Sequence, residues 1–104
     1  MKKNIFILFL IPLILGISNV YADDVLNEKF FKAIEDNNLN LVKELVAKGV
    51  EINKANNEGW TPLHAAAQNG HLDIVKYLIN KGANLKEKNR NGETALSLAK
   101  KKWF

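Results

Sequence analysis

The chain has 104 residues, of which 47 % are hydrophobic and 25 % charged, and a formal net charge of +4 at pH 7. That length holds one domain. The absence of cysteine excludes a disulfide framework, a thiol nucleophile and a thiolate metal site, so packing alone must hold the fold.

The first element is a leader. Lys2 and Lys3 precede an apolar run from Ile5 to Ile17, and Val20-Tyr21-Ala22 then sets small residues where a signal peptidase inspects the chain, ahead of Asp23-Asp24. This order describes a secretory signal peptide over residues 1–22, with cleavage after Ala22 and export to the periplasm or the medium. The run, broken by Pro12 and Gly16, is about 13 residues long, short of the roughly 20 of a membrane span. The other reading is a membrane-tethered structural protein held by the uncleaved segment. Removing residues 1–22 takes away two lysines and no acid, lowering the charge from +4 to +2. A nearly neutral remainder argues against a nucleic-acid surface. Abundant Asn, Lys and Ile with the short basic leader suit a bacterial protein.

Beyond the leader the chain copies itself. Gly49 and Gly82, Gly59 and Gly92, Leu39 and Leu72, Val42 and Val75, Leu45 and Leu78, Thr61 and Thr94, and Ala33, Ala66 and Ala99 all recur at a spacing of 33 residues. A fixed period in this range means one supersecondary unit, too small to bury its own apolar face, stacked on its neighbours.

The first unit, residues 23–56, is the least regular. Phe30, Ala33 and Ile34 mark an inner helix, and Leu39, Val42, Leu45 and Val46 an outer one. Asn37 stands where the next unit has a turn glycine, and asparagine tolerates the left-handed backbone better than most residues. A deviating terminal unit is expected, because one of its sides meets water.

The second unit, residues 57–89, is complete. Thr61 and Pro62 open a helix over about 62–69, Thr as cap and Pro in the first turn. Ala65, Ala66 and Ala67 let neighbours approach, and Gly70 reverses the chain. A second helix over about 72–81 carries Leu72, Val75, Leu78 and Ile79 toward the stack. Gly82 ends it, and a polar loop follows.

The third unit, residues 90–104, starts with Gly92-Glu93-Thr94-Ala95-Leu96-Ser97-Leu98-Ala99 and lacks an outer helix, with Trp103 at the turn-glycine position. Apolar side chains on the preceding unit are thereby uncovered, at about 25 cal/mol per Å² of burial forgone. Three readings of Trp103 and Phe104 stay open: they fold back over the exposed end, they dock a second molecule, or they mark truncation of a longer array. Lys100-Lys101-Lys102 reads as a solvated end.

The segment Gly59-Trp60-Thr61-Pro62-Leu63-His64-Ala65-Ala66-Ala67, followed by Gly70-His71-Leu72-Asp73-Ile74-Val75-Lys76-Tyr77-Leu78-Ile79 and Gly82-Ala83-Asn84, resembles the ankyrin repeat. The resemblance covers about 27–99, some two and a third repeats. It implies an all-α solenoid of helix-turn-helix units with projecting hairpin-like loops. It also implies that His64 ties its helix to a loop by hydrogen bonds.

Catalysis finds few parts. His64, His71 and Asp73 do not make a convergent set, and an acid in the first turn is stabilising by itself. With two histidines and no cysteine, zinc lacks ligands, and no glycine loop cradles phosphate. Ser97 has no histidine in its own unit to activate it. We therefore expect no enzyme, no metal and no cofactor.

The resemblance instead implies a protein partner, held by loop tips and the exposed face of the inner helices. Carried over position by position, that surface is Glu35 and Asp36; Asn57, Glu58 and Trp60; Gln68 and Asn69; and Lys88, Arg90, Asn91 and Glu93. Trp60, at a loop tip, is the residue type that dominates interface energies, or else it packs on the neighbouring loop. Self-association through the incomplete end is a further expectation.

Overall fold

The computed structural model describes residues 17–103, with side chains from Asp24 onward. Most of the leader, residues 1–16, lies outside the described residues, as does Phe104. Five helices are described: α1 Ile17–Glu35, α2 Leu39–Ala47, α3 Pro62–Asn69, α4 Leu72–Asn80 and α5 Ala95–Trp103. Among the described residues no helix is long and apolar enough to cross a membrane, and there is no strand.

The helices form two rows, with α1, α3 and α5 inside and α2 and α4 outside. α3 sits at the centre, against α1, α4 and α5, while α2 packs on α1 and α4. The repeat is visible in how helices end. Asn37 takes φ 56° and Gly70 φ 71°. Two backbone bonds then close each end, Asn37 N–H to Ile34 O (3.1 Å) with Asn38 N–H to Ala33 O (2.9 Å), and Gly70 N–H to Ala67 O (3.2 Å) with His71 N–H to Ala66 O (3.1 Å). This pair satisfies orphan carbonyls of the last turn and needs a left-handed residue, which Asn37 supplies as its sequence position predicts.

The starts of α2 and α3 are capped by side chains. Asn38 Oδ1 accepts from Leu41 N–H at 3.1 Å, and Thr61 caps α3 ahead of Pro62. Phe30, Ile34, Val42, Leu45, Leu63, Ala66, Ile74 and Leu78 form one buried core. Full burial of an aliphatic side chain contributes about 1.5–3 kcal/mol. Ala33 and Ala66, with almost no exposed surface, let the inner helices approach.

One expectation about α4 is corrected. Leu78 is buried and Val75 partly so, but Leu72 is 61 % and Ile79 40 % exposed, and Ile74 at 0 % is the residue that joins Leu78 in the core. Among the described residues α4 has an outer helix on its α2 side only. Ile74 points to the covered side, and Leu72 and Ile79 to the open one.

The third unit folds back in part. The Trp103 indole N–H donates to Ala67 O at 3.1 Å. The ring lies so close to Gly70 that a Cβ there would sit 2.6 Å from it. Trp103 nevertheless stays 56 % exposed, too much to seal the end.

Candidate interaction surface

Each loop is built on one asparagine. Asn56 Oδ1 accepts the N–H of Glu58 (2.9 Å) and of Trp60 (3.0 Å), while Asn56 N–H donates to Trp60 O (2.8 Å) and Gly59 N–H to Asn56 O (3.0 Å). The same bonds recur one unit on. Asn89 Oδ1 accepts from Asn91 and Glu93, both at 2.9 Å, and Asn89 N–H and Gly92 N–H donate to Glu93 O and Asn89 O, both at 3.0 Å. The expected hairpin-like loops are thus tight asparagine-closed turns. Neither asparagine was singled out from the sequence, although their 33-residue spacing was there to be read.

Neighbouring loops are tied together. Asn53 Nδ2–H donates to Gly82 O (3.2 Å) and its Oδ1 accepts from Asn84 N–H (2.7 Å). Gly59 lies against Arg90, whose backbone nitrogen would be 3.1 Å from a Cβ at that position. His64 binds loop to helix as expected. Its Nδ1 accepts from Thr61 N–H (3.1 Å) and meets the Thr61 hydroxyl (2.7 Å), so Nε2–H is the donor to Glu93 O at 2.8 Å. In α5 the same place is taken by Ser97, whose Oγ accepts from Thr94 N–H (2.8 Å) while Ser97 N–H donates to Thr94 Oγ1 (3.1 Å). His71 Nε2–H reaches Glu35 O at 3.2 Å, linking α4 to the end of α1. Both histidines and Ser97 are thereby engaged in structural bonds.

Five of the eleven expected contact residues come together. Glu35, Glu58, Trp60, Gln68 and Asn69 line one open cleft of about 430 Å³, with Phe31 and Ala65. Glu35 also borders an adjoining cleft of about 520 Å³, which includes Asn57, Asp24 and Lys54. Phe31, which stands 33 residues before His64, was not among the expected contact residues. Trp60 is half-buried, more covered than the exposed tip expected of it. Its indole meets the His64 ring edge-on, with centroids 5.8 Å apart.

The other positions lie apart. Asp36 is paired with Lys32 at 3.6 Å. Lys88, Arg90 and Asn91 are exposed on the second loop and border neither cleft. Glu93 is used internally, accepting from Asn89 Nδ2–H at 3.0 Å and pairing with Lys101 at 3.7 Å. The Asn89 amide first, then the Lys101 ammonium, hold the Glu93 carboxyl below its ordinary pKa, against an opposing effect of partial burial. The 430 Å³ cleft carries two carboxylates and no cation.

Paired helices in two rows and loops locked to their neighbours define a helical-repeat scaffold. A family model of ankyrin repeats, described as three copies, matches residues 30–102. The chain belongs to the ankyrin-repeat family, and the match runs through the partial third unit. Repeats of this family are interaction modules that bind protein partners. Comparison with curated proteins finds no match to the chain.

Proposed function

We propose that this is an exported, non-catalytic ankyrin-repeat protein that captures a protein partner in the cleft between its first two inner helices and the intervening loop. The convergence of Trp60 with Glu35, Glu58, Gln68 and Asn69 around one concave opening carries the reading. The half-buried indole offers a held aromatic face at small entropic cost. The two carboxylates favour a basic or neutral partner segment. Export rests on the leader pattern of residues 1–22, and a mature N-terminus at Asp23, read by mass, distinguishes it from a tether that keeps Met1.

Quantitative pull-down from the producing cell tests the cleft. A partner captured by the native protein should be lost with Trp60→Ala combined with Glu58→Lys, and Trp60→Ala alone should weaken binding by about 2 kcal/mol or more. Undiminished capture by the double variant, with unaltered helical circular dichroism, would remove the cleft from the function.

A further inference from the structure

Six large apolar side chains are exposed among the described residues, and five of them, Leu72, Ile79, Leu85, Leu96 and Trp103 but not Val25, line a single groove of about 360 Å³ between α4 and α5. The molecule itself shows what fits such a groove. α2 packs on α4, and Val42 of α2 and Ile74 and Leu78 of α4 are all at 0 % exposure, which assigns the α2 face of Leu39, Val42 and Val46 to this contact. Lys43, at the margin of that α2 face, lies over the Tyr77 ring of α4 at 5.7 Å. Moved on by 33 positions the same face reads Leu72, Val75 and Ile79, with Lys76 in the place of Lys43. The corresponding face of α2 packs on an outer helix, and among the described residues no outer helix covers this one.

We propose that this groove is a second binding site, which takes an amphipathic α-helix with acidic flanks from another protein. The rim supplies the charge argument. Lys76 lies four residues after Leu72 and Lys100 four after Leu96, so each of these helical ammonium groups shares a face with an apolar lining residue, and Lys86 lies in the loop next to Leu85. None of the three makes a salt bridge among the described residues. Acids along the flanks of an incoming helix meet these ammonium groups, and leucine or isoleucine at i, i+3, i+4 and i+7 fills the groove. A second molecule of this chain fits less well. The residues that answer such a face, Ile74 and Leu78, are already buried, and groove against groove would oppose two sets of lysines. The site shares no residue with the two clefts on the concave side.

The test uses the full chain carrying Trp60→Phe, which leaves Trp103 as the one tryptophan. The probes are two labelled helical peptides of about 14 residues, both with leucine at i, i+3, i+4 and i+7, one flanked by glutamates and the other by lysines. The glutamate peptide should bind saturably by anisotropy and shift Trp103 emission to the blue. Leu72→Glu and Leu96→Glu, each at a position 61 % exposed and so neutral for folding, should each weaken binding by about tenfold or more. Lys76→Glu with Lys100→Glu should reverse the preference toward the lysine peptide. Absence of binding by the glutamate peptide, or equal binding of both peptides, overturns the proposal. So does concentration-dependent dimerisation abolished by Leu72→Glu, or a Trp103 shift produced by phosphatidylglycerol vesicles and not by the peptide.

Discussion

The outer helices α2 and α4 carry nearly the same apolar pattern and meet different fates. Val42 is completely buried and Leu39 and Val46 are partly covered, whereas their counterparts Val75, Leu72 and Ile79 are half-buried or exposed. On the opposite faces the order reverses: Leu41 is only partly covered, and Ile74, its counterpart, is fully buried. Composition cannot cause this difference. It follows from position in a one-dimensional stack, where each unit gains its burial from the neighbour on either side. An identical side chain is thus core in one unit and surface in the next.

The sharpest way to break this comparison is to cut both faces of α4. Ile74→Ala should destabilise the protein by about 2–5 kcal/mol, because a void opens against α2. Leu72→Ala, two residues away, should change stability by no more than about 0.5 kcal/mol. Urea unfolding of the two variants reads the contrast, and similar losses would mean that α4 has a cover on both sides.

The capping residues of α3 and α5 offer a second, smaller contrast. His64→Ala removes the partner of Glu93 O and of Thr61 N–H in a buried setting, at about 1–3 kcal/mol. Ser97→Ala breaks the equivalent bonds of α5 where water can replace them, at about 0.5–1 kcal/mol. Thermal unfolding should rank the two in that order, and a Ser97 effect larger than that of His64 would show that the third unit supports the stack more than its exposure suggests.

The smallest effect concerns acid. The folded pKa of Glu93 is lowered, so its contribution is complete above the unfolded carboxylate value of about 4.3 and is lost as pH falls through the folded value. The stability gap between native protein and Glu93→Gln should therefore narrow on acidification below that range. Melting curves that stay parallel from neutral pH to acid would show that the carboxylate bonds to Asn89 and Lys101 add nothing.

Much of the architecture was legible because it rests on local chemistry repeated at a fixed interval. Thr61-Pro62 opens a helix wherever it stands, Gly70 and Asn37 can take a backbone that others resist, and a 33-residue period in the apolar positions announces stacking. The bonding of His64 followed from a family resemblance. The candidate cleft was half legible: Glu35, Glu58, Trp60, Gln68 and Asn69 converge, while Asp36 and Glu93 are taken up by Lys32, Asn89 and Lys101. Asp36 stands four residues after Lys32 and Glu93 four after Asn89, so these pairings lay within reach of a sequence reading, whereas the convergence of α1, the first loop and α3 on one cleft is set by the packed rows.

The order of residues by itself determined the helices, their caps, the period and the family, since each depends on neighbours within one turn or on a pattern copied along the chain. Tertiary structure alone decided which face of α4 is core and which is surface, how far Trp60 is covered, and where Trp103 lands on Gly70. Burial is a property of what lies opposite. A leucine carries its hydrophobicity in the sequence, but the neighbour that removes it from water is supplied only by the assembled stack.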